Sequence, residues 1–128
     1  MKQGFVKVAS ATPRIRVADP VYNAQVICEQ AKEAAEHGAK IVVFPELCIT
    51  GYTCNDLFLQ ELLLEKAKEA LLTIAEETGQ LETLFLVGLP VDKDGRLYNV
   101  AAVLYRGRIL GMIPKKNIPI DRKSTRLN

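Results

Sequence analysis

The amino-acid sequence predicts an α/β protein, a mixed sheet with helices covering one face, in the order β-α-β-α-β-β-β. Three observations carry that expectation. Two long stretches, 20–37 and about 57–78, repeat apolar residues at helical spacing. Between and after them lie short apolar runs without that period, "KIVVF" (40–44) and "TLFLVGLP" (83–90), of the kind a sheet buries on both faces. Then come "LYNVAAVLY" (97–105) and "RILGMI" (108–113), two further strands that Arg106–Gly107 separates as a tight hairpin turn.

The first strand is read at "GFVKVASAT" (4–12), mostly apolar and rich in Val and Phe. "RVADP" then turns the chain. Asp19 suits the N-cap, where its carboxylate can accept from an unpaired amide of the first turn, and Pro20 suits the first helical position, which needs no amide hydrogen. In the helix beyond, Val26, Ile27, Ala31, Ala34 and Ala35 line one side, with Lys32, Glu33 and Glu36 opposite. Gly38 supplies the stop. The strand 40–44 closes a strand–helix–strand unit, whose crossover is expected to be right-handed. A polar loop, 46–56, leads into the second helix, with Leu63, Ala67, Ala70, Leu71 and Ile74 as its apolar face and Gly79 at its end. "DKDG" (92–95) is a turn by composition, since a calcium loop would need a downstream Glu that is missing. No repeats or low-complexity segments interrupt the pattern.

Composition narrows the function. At 128 residues, 48% hydrophobic and 25% charged, the chain has the makeup of one ordinary globular domain. No apolar run approaches the roughly 20 residues of a membrane span, and "MKQGFVKVASATP" lacks the features of a signal peptide. A cytoplasmic protein without membrane contact is expected. The formal charge of +2 belongs wholly to the last eight residues, "DRKSTRLN"; without them 14 basic residues face 14 acidic ones, so nothing argues for nucleic-acid binding. Cys28, Cys48 and Cys54 are odd in number and form no C-x-x-C pair, and His37 is the only histidine. Neither a disulfide framework nor a zinc site is expected. Cys28 falls on the apolar side of its helix. There is no Gly-rich phosphate loop, so this segment is not expected to bind ATP or a dinucleotide.

Ligands of α/β sheets gather at the C-terminal ends of strands. Glu46, in "IVVFPELCITGY" (41–52), and Lys115, in "IPKKNIP", each stand just past such an end. Either residue can simply face water. The functional alternative is that a partly desolvated carboxylate at the mouth of an apolar strand serves as a base. A nearby lysine would then hold a developing oxyanion or keep the carboxylate in place. The pair lacks a nucleophile to serve. Cys48, two residues from Glu46, and Cys54, in the loop beyond, invite the nucleophile reading by their nearness.

Several stretches carry a resemblance. "FPELCITGY" resembles the first catalytic motif of the nitrilase, or carbon–nitrogen hydrolase, superfamily, and "LYNVAAVLYRGRILGMIPKKNIP" resembles the hairpin leading into its lysine motif. "GFVKVASATPRIRVADPVYNA" and "GYTCNDLFLQELLL" are similar to the glutaminase domain of the bacterial NAD synthetase branch in particular. The likeness spans residues 4 to about 119. It implies a nitrilase-type α-β-β-α sandwich of which this chain holds about half, leaving one sheet face and a sheet edge that the rest would cover. It also implies a Glu–Lys–Cys triad with Glu46 as general base and Lys115 stabilising the tetrahedral intermediate. Pro114 before the lysine and Ile118 three residues after it select Lys115 over Lys116. Tyr52 is a glutamine contact or a packed ring with a wet hydroxyl. The family's nucleophilic cysteine comes after a later strand, beyond residue 128, so the fragment itself is expected to be inactive. By the same resemblance the parent takes glutamine as its small-molecule substrate, forms a homo-oligomer, and uses ATP and magnesium in a C-terminal domain. Residues 1–120 are read as the N-terminal portion of the glutaminase domain. Residues 121–128 are read as non-native, because GAT CGG AAG AGC ACA CGT CTG AAC, the start of a short-read sequencing adapter, encodes them. Two rival readings stand beside this one. A stand-alone amidase or carbamoylase would have no synthetase domain downstream in the intact gene. A non-catalytic interaction module would lack the downstream cysteine.

Overall fold

A computed structural model describes residues 6–51 and 57–114, without the side chains of 57–59. The elements are β1 (Val8–Ser10), α1 (Pro20–Glu36), β2 (Ile41–Val43), α2 (Leu57–Glu77), β3 (Leu84–Lys93), β4 (Arg96–Tyr105) and β5 (Arg108–Pro114), in the expected order. The strands form one sheet in the order β1-β2-β3-β4-β5. β1, β2 and β3 run parallel, joined across α1 and α2, and the β3–β4 and β4–β5 pairs are antiparallel. The sheet is therefore mixed, as an α/β pattern ending in two hairpins requires.

Local chemistry places the helices. Tyr22 N donates to Asp19 Oδ1 at 3.2 Å, and Pro20 opens the first turn of α1. Past its end, Gly38 takes a φ of 88°, in the left-handed region. α1 buries Ala24, Ile27, Cys28 and Ala31, and α2 buries Leu63, Ala67, Ala70, Leu71 and Ile74. The helices pack on each other, and an exposed Lys32–Glu77 ion pair at 3.4 Å bridges them, a contact worth little in water.

The register decides what each sheet face carries. Phe85 pairs with Leu104, Val87 with Ala102 and Leu89 with Val100, and all six are buried in one cluster with Val42, Ile27 and Ile74. Alternate residues turn the other way: Leu86 opposite Val103, Gly88 opposite Ala101 and Pro90 opposite Asn99. That second face also holds Val8, Val43 and Ile113, which are 58%, 39% and 52% exposed. The expected helix-free face is thus apolar and open.

Two boundaries differ from expectation. Of the expected 4–12, residues 4 and 5 lie outside the described residues, and among the rest only Val8–Ser10 form β1, paired with the equally short β2. β3 runs through Pro90 to Lys93 rather than ending at the proline. Among the described residues, the β2 ladder stops at Leu86, and a proline is tolerated beyond the end of such a ladder. Both hairpins have left-handed φ at their two central residues, 54° and 77° at Asp94–Gly95, 54° and 83° at Arg106–Gly107. This is the two-residue turn whose twist matches that of paired strands.

Candidate active site

After β2 the chain crosses over β3. Phe44 N donates to the Leu86 carbonyl at 2.9 Å, and Ile49 N donates to the Gly88 carbonyl at 3.2 Å. Between these anchors stand Pro45, Glu46, Leu47 and Cys48. The crossing is close: a Cβ on Gly88 would lie 2.6 Å from Leu47 N, 2.8 Å from the Pro45 carbonyl oxygen and 3.0 Å from Glu46 Cα. Only glycine admits the turn there. Leu47 has a φ of 52°, a conformation that costs a side-chain-bearing residue about 1–2 kcal/mol. The turn compensates with amides, since Thr50 N and Gly51 N both donate to the Leu47 carbonyl, at 3.2 and 2.6 Å.

A buried amide ties this turn to α1. Asn23 donates through Nδ2 to the carbonyls of Arg16 at 2.7 Å and Ile49 at 2.8 Å, and accepts from Arg16 N at 2.7 Å. Ala18 N adds a bond to the Thr50 carbonyl at 2.7 Å. The guanidinium of Arg16 lies 3.7 Å above the Tyr22 ring, a cation–π contact. Thus the start of α1, the segment before it and the Glu46 turn form one hydrogen-bonded unit.

Glu46 is exposed, and its Oε1 accepts a 3.2 Å hydrogen bond from Asn99 Nδ2. The carboxylate stands on the turn that follows the strand, where a polar donor reaches it. Asn99 lies on β4, opposite Pro90, and is 4% exposed. Asn99 Oδ1 and Thr50 Oγ1 are the buried side-chain oxygens without a hydrogen-bond partner among the described residues. Asn99 escaped the sequence reading, although one amide within the apolar "LYNVAAVLY" was a visible signal.

The other expected residues divide. Lys115, Tyr52 and Cys54 lie outside the described residues. β5 runs as far as Pro114, which pairs with Val100, the neighbour of Asn99 in the chain. Cys48 is buried with Sγ 3.7 Å from the Gly88 carbonyl oxygen, and burial pushes its thiol up to about 11. Cys28 is also pushed up to about 11, by burial first and by the nearby Glu77 second. Buried, protonated thiols make poor nucleophiles, so both cysteines are packing residues. His37 is exposed, its Nδ1 2.9 Å from the Glu33 carbonyl oxygen. Among the described residues, no group of three or more His, Cys, Asp and Glu is placed to hold a metal ion, and no helix is long and apolar enough to cross a membrane. A recess of about 340 Å³ lined by Lys7, Thr12, Gln30, Glu33 and His37 among others does not include Glu46.

The arrangement is an exposed carboxylate presented at a strand end, on a turn braced from beneath by β3 and from the side by α1. Such a carboxylate can take a proton from a nucleophile or water placed against it. The model of the carbon-nitrogen hydrolase family matches residues 7–127, and the chain belongs to that family.

Within it, the chain is 38% identical over 122 residues to the glutamine-dependent NAD(+) synthetase of Mycobacterium tuberculosis, covering 95% of this chain and 18% of that protein. The enzyme of the same name from Thermotoga maritima is 34% identical over 119 residues, covering 93% of this chain and 20% of its own length. The chain thus spans about a fifth of the length of these curated relatives. Among solved structures, a glutamine-dependent NAD(+) synthetase from Cytophaga hutchinsonii superposes with a TM-score of 0.79 at 29% identity, over 91% of this chain and 20% of that one. An amidase from Nesterenkonia sp. shares the fold with a TM-score of 0.71 at 22% identity, over 92% of this chain and 45% of its own. The α/β fold read from the sequence is thus that of nitrilase-type enzymes, and the chain holds part of the domain.

Proposed function

We propose that this chain is part of the glutaminase domain of a glutamine-dependent NAD(+) synthetase. The observation that carries the reading is the 38% identity over 95% of the chain to a relative of that name, against 18% of the relative's length. The intact protein hydrolyses the side-chain amide of glutamine. A cysteine thiol attacks the amide carbonyl and Glu46 takes the thiol proton. Lys115 stabilises the oxyanion of the tetrahedral intermediate, and Tyr52 contacts the substrate. Ammonia leaves with a proton returned by Glu46, and water then releases glutamate from the thioester. The ammonia amidates deamido-NAD in a separate domain, where ATP and magnesium act. Lys115 comes directly after Pro114, whose partner Val100 adjoins the Asn99 that holds Glu46, so the described pairing favours grouping Glu46 with Lys115. The nucleophile comes from outside these 128 residues, a reading supported by the burial of Cys28 and Cys48.

Ammonia release from glutamine tests it. In the full-length protein carrying this chain, Glu46→Gln is expected to slow release by about 10²–10⁴-fold, the usual worth of a positioned base. The 128-residue chain alone is expected to release none. Undiminished turnover by the variant, or turnover by the chain alone, would overturn the assignment.

A further inference from the structure

We propose that Asn99 is the positioning residue of the Glu46 base, aiming its carboxylate by a hydrogen bond from beneath the turn. The inference rests on Glu46 being that base.

Geometry supports it. The turn carrying Glu46 passes over Gly88 with no room for a side chain, so its backbone is fixed, while the side chain projects outward and is exposed. Glutamate has three side-chain torsions, and backbone placement alone does not set its carboxylate. Asn99 sits on the same sheet face, since Gly88 pairs with Ala101 and Pro90 with Asn99. Its Nδ2 reaches Glu46 Oε1 at 3.2 Å across 53 residues of chain. A carboxylate accepts and does not donate, so the amide must present nitrogen to it. That orientation fixes where Oδ1 points, and Oδ1 is buried without a partner among the described residues. A leucine of similar size would fill the same space with no polar atom to bury. An asparagine kept there at that cost serves the group it donates to rather than the packing of the sheet. The bond is made to Oε1 of the carboxylate.

The consequence is a divided response in Asn99→Leu. A structural role predicts a protein that melts lower. A positioning role predicts that the melting temperature holds or rises, because a buried oxygen without a partner among the described residues is gone, while the base loses its aim. We expect kcat for ammonia release from glutamine by the full-length protein to fall about 10- to 100-fold, as for an ångström-scale misplacement. KM should stay within about twofold, the signature of an interaction needed in the transition state. Adding Asn99→Leu to Glu46→Gln should then cost nothing further. Asn99→Asp keeps the shape and puts oxygen where nitrogen was; it should lose kcat to at least the same degree, and it decides the question if the leucine variant does not fold. Wild-type kcat in these variants, or an equal Asn99→Leu loss in the Glu46→Gln background, overturns the positioning role. Undiminished Glu46→Gln turnover removes the base beneath it, an outcome read independently of Asn99.

Discussion

Glu46 owes its place to residues that do no chemistry. Gly88 is there because two strands' worth of backbone meet at its Cα, and Leu47 accepts a left-handed φ because the amides of Thr50 and Gly51 close on its carbonyl. Gly88→Ala would press a methyl into three backbone atoms, and none of them is the far end of a flexible side chain. We expect about 1–3 kcal/mol of lost stability in urea denaturation, the cost of overpacking. In the full-length protein, ammonia release should fall with it, because the part that must move carries the proposed base. Retained activity at wild-type stability would show that the crossing is looser than its distances say. The motif around Glu46 was visible in the sequence because the acid comes directly after an apolar strand. Asn99, which holds it, was not, because its partner lies 53 positions away and no local pattern pairs an amide in one strand with an acid past the end of another.

The elements arise mainly from period and punctuation. Asp19, Pro20 and Gly38 bound α1 as their chemistry requires, and the five apolar residues assigned to the face of α2 are all buried. Strand lengths were less legible. A strand is as long as its pairing, so among the described residues β1 is the three residues that pair, and β3 outruns a proline that sits past the end of the β2 ladder. The β3–β4 hairpin offers a test free of packing. Gly95 has a φ of +77° and nothing within 4 Å of a Cβ built on it. Gly95→Ala should therefore cost only the left-handed backbone penalty, about 1–2 kcal/mol, and leave ammonia release unchanged. A cost near zero would mean that another residue of the turn absorbs the strain. Set beside Gly88→Ala, it separates a glycine needed for its dihedral from one needed for its missing side chain.

At the scale of the molecule, the sheet is covered on one side. The helices bury the face of Val42, Phe85, Val87, Leu89 and Leu104, while Val8, Val43 and Ile113 are exposed on the other. β1 and β5 are both edge strands. Open apolar sheet faces and unpaired edges favour association. We expect the 128-residue chain on its own to self-associate, with a sedimentation coefficient that rises with concentration. Val43→Lys should suppress that rise, because a charge on the face opposes its burial. A chain that sediments as a monomer at every concentration would refute the expectation.

Period, capping residues and turn chemistry act within a few positions of one another, so the sequence alone determined the order of elements, the two amphipathic helices and the strand end at which Glu46 stands. The tertiary structure decided what depends on distant partners. It set the register that buries Phe85 and turns Asn99 the other way, the crossing that only Gly88 permits, and the burial that makes Cys48 a packing residue. It also brought the Asn99 amide within hydrogen-bond reach of the exposed Glu46 carboxylate. Each of these rests on a contact between residues far apart in the chain, and such contacts exist only once the sheet has formed.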